Sequence, residues 1–176
     1  TIKIRNRDIS FIVHPALNGE PLYKSKDLVN EIENLVNNLD IFISAKRITK
    51  IKKINASTML GKGVIGEILS NIISKKINLL IVNSLLSPRQ QKNLEDKLKI
   101  KVIDRTGIIL EIFSKRAKSK EGKLQVELAD LMYRKSRLVR AWTHLERQRG
   151  GTTFIGGPGE LQIELDRRLI QEKIVR

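Results

Sequence analysis

Between Ile9 and Asp104 short β-branched runs alternate with segments of helical periodicity, and after about Thr106 the strand signal stops. That alternation is the strongest constraint on the fold, because successive strands joined through helices pair in parallel and are covered by those helices. The run Ile9-Ser10-Phe11-Ile12-Val13 is expected to end at His14-Pro15, since proline brings no donor to a ladder. From Ser25 the positions Leu28, Ile32, Leu35, Val36 and Leu39 recur at helical spacing, with Asp27, Glu31 and Glu33 near the start, where the helix dipole favours anions. Ile41-Phe42-Ile43 opens a second extended segment, and Ile65, Ile68, Leu69, Ile72 and Ile73 mark a helix. Leu79-Leu80-Ile81-Val82 then reads as a buried strand. Ser87-Pro88 has the form of an N-cap followed by proline at the first helical position, opening a helix with Leu94 and Leu98. Lys101-Val102-Ile103-Asp104 is the last strand. The expected fold class is α/β: a small parallel sheet of about four strands flanked by helices over residues 1–105, followed by a long antiparallel α-helical hairpin over 106–176.

The hairpin is read from a second change of pattern. Leu124, Leu128, Leu131, Leu138, Trp142 and Leu145 follow alternating spacings of four and three if Lys135 is skipped, the seam of a coiled-coil-like helix from about Lys120 to Gln148. The next stretch, Arg149 to Gly159, holds five of the chain's eleven glycines and cannot remain helical. Helical character resumes from Glu160, with Leu161, Leu165 and Leu169 beside Ile163, Ile170 and Ile174. Two helices joined by a glycine loop make an antiparallel hairpin with its tip at 149–159.

Charge points to a partner. Thirty-four Lys and Arg against 19 Asp and Glu leave a net charge of +15 on 176 residues. Such an excess suits a polyanion, because each phosphate neutralised releases a condensed counterion. Lysine is plentiful alongside Ile and Asn, a joint bias of composition that can scatter ammonium groups over a surface, so the lysine count by itself is discounted. Arginine is more telling: residues 1–110 hold 14 Lys and 5 Arg, whereas 111–176 hold 6 Lys and 9 Arg. Guanidinium groups fork onto phosphates and stack on bases, so the second half is where nucleic acid is expected. The chain has no Cys, which removes disulfides, thiolate zinc sites and cysteine nucleophiles. No apolar run approaches the roughly 18 residues of a membrane span, and the N-terminus lacks a secretory signal, so the protein is expected to be cytoplasmic. A chain beginning at Thr1 rather than Met reads as part of a longer one.

Several patterns invite a chemical reading. Gly61-Lys62-Gly63-Val64-Ile65-Gly66 matches G-x-G-x-x-G, whose backbone can approach a pyrophosphate at a helix N-terminus. The preceding residues make a weak strand, and Asn83-Ser84 stand where a ribose-binding carboxylate belongs. The competing reading is a loop whose glycines let a helix pack closely on the sheet. No G-x-x-x-x-G-K-[ST] phosphate loop occurs. His14 and His144 have no ligand partner nearby in sequence, so no metal site is expected, and His144 reads as a packing or hydrogen-bonding residue. Asp166-Arg167-Arg168 with Glu164 reads as pairing across the hairpin, leaving no catalytic residues. Residues 134–149, by contrast, carry Arg134, Lys135, Arg137, Arg140, Arg147 and Arg149 against Glu146 alone. A basic shaft ending in a glycine loop that presents Phe154 suits a narrow RNA cavity, with phosphates met along the shaft and bases stacked at the end. The plain alternative is a solvated helix face and an ordinary turn, but a turn needs only a few residues. The candidate RNA-binding residues are therefore Arg137, Arg140, Arg147, Arg149, Gly150, Gly151, Thr152, Thr153, Phe154, Ile155, Gly156 and Gly157, with Gly61, Lys62 and Gly63 as a separate nucleotide-binding candidate.

Asp104-Arg105-Thr106-Gly107, Gly122-Lys123-Leu124-Gln125-Val126-Glu127-Leu128-Ala129, Trp142-Thr143-His144-Leu145-Glu146-Arg147-Gln148, Gly156-Gly157-Pro158-Gly159-Glu160 and Asp166-Arg167-Arg168 closely resemble the N-terminal region of the HflX GTPases. Leu86 to Glu95 and Gly61-Lys62-Gly63 also fit, so the resemblance covers most of the chain, with little contribution before Ser25. Leu161 departs from it, standing where the family usually has Thr. The resemblance implies a ribosome-associated GTPase with an α/β subdomain and a helical hairpin, followed by a GTP-binding domain that residues 1–176 do not include. It implies that the hairpin loop reaches the peptidyl-transferase region of the large ribosomal subunit and its rRNA, helping to split stalled or idle ribosomes. It further implies GTP and Mg in the parent protein, with no cofactor in this part. The adjoining GTP-binding domain is the second expected partner, and the protein is expected to be a monomer. Two alternatives follow: an ATP-binding or ATP-hydrolysing activity of the α/β half, and an intramolecular regulator of the GTPase domain.

Overall fold

The structure is a computed structural model that describes residues 8–148 together with Arg168, Gln171 and Glu172, and at positions 136 and 138–148 the backbone alone. The elements run β1 (Ile9–Leu17), α1 (Leu22–Asn37), β2 (Phe42–Ile51), α2 (Lys62–Lys75), β3 (Leu79–Val82), α3 (Pro88–Leu98), β4 (Lys101–Asp104), α4 (Arg105–Arg116) and α5 (Lys120–Gln148). The chain divides into two compact units, Thr1–Arg116 and Ala117–Arg176.

In the first unit the four strands form one parallel sheet in the order β2-β1-β3-β4, the α/β architecture expected from the alternation. Alternate residues of each strand point to opposite faces, and each face has its own core. On one face Phe11, Val13, Leu80, Val82 and Val102 pack with Ile65 and Ile68 of α2 and Leu94 and Leu98 of α3. On the other, Ile12, Leu79, Ile81 and Ile103 pack with Ile32 and Val36 of α1 and Ile108 and Ile112 of α4. Ile108 and Ile112 are the reason the first unit extends to Arg116 rather than ending with β4.

Three local features differ from the sequence reading. β1 continues through His14 and Pro15 to Leu17. Val13 O accepts from Asn83 N, so odd-numbered residues of β1 turn their backbone groups toward β3, whose pairing with β1 stops at Val82 opposite Val13. The missing donor of Pro15 thus faces a side where no strand remains, while Pro15 still pairs in register with Thr49 of β2. Second, α1 begins at Leu22 after Pro21, so Ser25 lies inside it and its first turn has no acidic residue. Third, Gly61, Gly63 and Gly66 have open space where a Cβ would stand, and none has a positive φ, so close helix packing does not explain them. The cap of α3 is as expected: Ser87 Oγ accepts from Gln90 N at 3.2 Å, Gln90 Oε1 accepts from Ser87 N at 2.9 Å, and Pro88 opens the helix.

Candidate nucleic-acid interface

Open parallel sheets take ligands beyond the carboxyl ends of the strands, where the strand order reverses. Here that point lies between β1 and β3, and side chains of the protein occupy it. His14 Nε2 meets Glu20 Oε1 at 2.8 Å, and Asn83 Nδ2 lies 3.2 Å from His14 Nδ1. With Asn83 Nδ2 donating to Nδ1, His14 donates the hydrogen bond from Nε2–H to Glu20 Oε1. Asn83 Nδ2 also donates to Leu28 O at 2.9 Å, and Asn83 Oδ1 accepts from Arg105 at 3.1 Å. Arg105 pairs in turn with Glu31 of α1. Ser25 Oγ donates to Glu20 Oε1 at 2.6 Å. The Ser25 hydroxyl first, and then His14, hold the Glu20 carboxyl below the usual glutamate range against the opposing effect of burial.

The Asp104-Arg105-Thr106-Gly107 word is built into the same edge. Asp104 is fully buried; one carboxylate oxygen accepts from Gly107 N at 2.9 Å in the first turn of α4, and the other accepts from Leu86 N at 3.2 Å. The Leu86 to Glu95 word is also structural. Gln90 Nε2 donates to Asn55 O, Gln91 Nε2 to Val102 O, and Asn93 Nδ2 to Ser57 O.

Gly61 is the N-cap of α2, with Lys62 and Gly63 exposed in its first turn. A dinucleotide fingerprint needs a strand leading directly into the glycine turn. β2 ends at Ile51, and an Asn55 to Met59 bridge intervenes before Gly61. Asn83, at the position of the expected ribose carboxylate, is committed to His14, Leu28 and Arg105.

In the second unit α5 spans 29 residues with the bounds expected from the leucine spacing, and is about 43 Å long at ~1.5 Å per residue. Of its seam positions Leu124 and Leu128 are exposed and Leu131 is buried. Lys135 Nζ donates to Gln171 Oε1, which brings α5 alongside a helical residue 36 positions later, as an antiparallel hairpin requires. Arg134 pairs with Asp130 one turn earlier. Arg137 lies over the Tyr133 ring, 4.0 Å from its centroid. Asp130 and Tyr133 were not among the candidate residues, although both stand four positions before the arginine they meet, the spacing that makes helix neighbours. Of the candidate RNA-binding residues, Arg137 is described in full, Arg140 and Arg147 by their place on the α5 backbone, and Arg149 to Gly157 lie outside the described residues. The tip loop 149–159 and the helical reading of 160–176 also lie outside them, apart from Arg168, Gln171 and Glu172. Among the described residues no helix is long and apolar enough to cross a membrane.

In sequence a parallel α/β unit is followed by a unit with a long basic helix, and the family comparisons match the two parts separately. Residues 26–114 match the family described as GTP-binding GTPase N-terminal, and residues 116–176 that described as GTP-binding GTPase Middle Region. The GTPase HflX of Magnetococcus marinus is 51% identical over 147 residues, which cover 84% of this chain and 34% of that protein. The GTPase HflX of Escherichia coli K12 is 42% identical over 153 residues, covering 87% of this chain and 36% of that one. The chain belongs to the HflX family of GTPases and spans about a third of the length of the curated relatives it matches. The fold is shared with a GTP-binding protein from the archaeon Sulfolobus solfataricus solved in complex with GDP, at a TM-score of 0.61 and 21% identity, covering 95% of this chain and 44% of that one.

Proposed function

We propose that residues 1–176 are the ribosome-binding region of an HflX-type GTPase, and that the hairpin enters a cleft of large-subunit rRNA near the peptidyl-transferase centre, helping to split stalled or idle ribosomes. The observation that carries this reading is the Lys135 to Gln171 contact, because it sets the start of the basic stretch of α5 beside a residue that follows the glycine-rich stretch in sequence. At about 100° per residue, positions 137, 140 and 147 fall within about 80° of the helix circumference, so one side of the shaft can follow a phosphate backbone. Arg149, Gly150, Gly151, Thr152, Thr153, Phe154, Ile155, Gly156 and Gly157 form the tip in this proposal. Small residues let the backbone approach RNA closely, and Phe154 offers a ring for a splayed base. GTP, with Mg, is bound by a separate domain of the parent protein, and that domain is the intramolecular partner.

The test is charge reversal at Arg147 and Arg149 to Glu. The variant is expected to stay folded by circular dichroism and to lose co-sedimentation with large ribosomal subunits. Undiminished co-sedimentation would overturn the reading.

A further inference from the structure

The first unit carries a second cluster of cations, on the edge strand β2 and the residues that follow it. Five of the eight residues from Lys46 to Lys53 are basic and none is acidic. Two of the five are neutralised within the fold: Lys46 donates to Glu33 of α1 at 2.6 Å, and Arg47 pairs with Glu67 of α2. Lys50, Lys52 and Lys53 are exposed and make no ion pair among the described residues. Thr49 and Ile51 are buried and anchor this end of β2, so the cations stand on a firm support.

The Lys46 to Glu33 contact also fixes what lies beside them. From Lys46 to Lys50 the strand advances about 13 Å. α1 runs the opposite way, and the same length along it is about nine residues, from Glu33 back to its first turns at Leu22 to Lys26. Lys26 stands one heptad before Glu33, within about 20° of it around the helix, and so shares the side of α1 that meets β2. Asp27 stands about 100° further round, and Glu20 is engaged by His14 and Ser25. At this corner Tyr23 is 71% exposed, with Leu17 and Leu22 also exposed beside it. Leu17 pairs in register with Ile51, which places the β1 to α1 connection and Lys52-Lys53 at the same end of the sheet.

We infer that this corner is a second RNA-binding surface, in which Lys26, Lys50, Lys52 and Lys53 hold backbone phosphates and Tyr23 stacks on an unpaired base. Three exposed cations left without an ion pair among the described residues give this corner a local positive field that an anionic partner can use, and an exposed ring near them is an arrangement that grips single-stranded nucleic acid. The inference rests on the reading of the protein as an RNA binder but uses none of the hairpin residues.

The experiment measures binding of the whole chain to purified large ribosomal subunits between about 50 and 200 mM salt. Lys50→Glu/Lys52→Glu/Lys53→Glu is expected to lower affinity at least about tenfold and to reduce the log-log salt slope by about two to three, one phosphate contact per lysine. Lys52→Glu/Lys53→Glu, which leaves β2 untouched, is expected to reduce the slope by about one to two. Tyr23→Ala is expected to weaken binding about fivefold or more with the slope unchanged. Unchanged affinity and slope in all three variants overturns the inference. So does a loss confined to phosphatidylserine vesicles or to an acidic peptide, with rRNA binding intact. Arg147→Glu/Arg149→Glu measured in parallel reports on the hairpin alone, so failure of either surface is seen independently of the other.

Discussion

The Arg137 guanidinium is stacked on the ring of Tyr133, one helical turn before it on α5. Such a contact contributes about 0.5 to 1 kcal/mol at a surface site and holds a long, flexible side chain in one arrangement before any partner arrives. Tyr133→Leu is expected to lower RNA affinity about two- to fivefold, the same energy expressed as a ratio, while Tyr133→Phe keeps most of it. Equal affinities for the Leu and Phe variants would show that the stack has no part in binding.

Asp104 serves two backbone donors at the carboxyl edge of the sheet, one in the first turn of α4 and one at Leu86 before α3. Replacing it with Ala leaves both without their acceptor in a buried position, at a cost of about 3 kcal/mol. Urea unfolding is expected to show a lower midpoint with an unchanged m-value, and Asp104→Asn is expected to fall between wild type and Ala. A midpoint that does not move would mean that water replaces the carboxylate freely.

Glu20 gives the fold a dependence on acid. Its carboxyl is held low by Ser25 and then His14, so the folded state binds the proton less readily than the unfolded chain does. The associated stabilisation is present above the ordinary glutamate value near pH ~4.3 and is lost as the pH falls through the lower value of the folded protein. Ser25→Ala is expected to flatten the fall in unfolding midpoint between about pH 6 and pH 3. Parallel profiles for the two proteins would contradict this account.

α2 supplies an internal control for packing. Ile68 is fully buried in the core that joins α2, α3 and the sheet, whereas Ile73, five residues later, is 81% exposed. Ile68→Ala is expected to cost about 2 to 5 kcal/mol and Ile73→Ala no more than about 0.5 kcal/mol. Thermal and chemical unfolding of the pair check the orientation of the helix, and comparable losses would mean that it is rotated.

Ribosome binding by the shaft is expected to follow the law for phosphate contacts. Arg140→Gln should reduce the slope of log affinity against log salt by a little under one. A flat salt dependence of the parent chain would identify a protein surface as its partner.

Local order was largely present in the sequence. The parallel sheet follows from alternating β-branched runs and helical periods, the cap of α3 from Ser87-Pro88, and the length of α5 from its leucine spacing up to the glycines. Each is a short-range rule, in which a residue and its neighbours within a turn or a pleat decide the outcome. The Arg137 stack and the Arg134 pair follow the same four-residue rule and were open to the same reading.

Tertiary structure decided what depends on neighbours distant in sequence. Pro15 remains inside β1 because β3 ends early, a fact about a strand some 65 residues away. His14 and Asn83 meet across 69 residues and, with Arg105 and Glu31, form one chain of polar contacts at the reversal of strand order. Among the lysines around β2, composition makes no distinction, yet folding hands carboxylates to Lys46 and Arg47 and leaves Lys50, Lys52 and Lys53 facing water. Periodicity tells which side of an element is apolar, but the pairing of charges depends on which sides of two elements meet, and only the packed chain determines that.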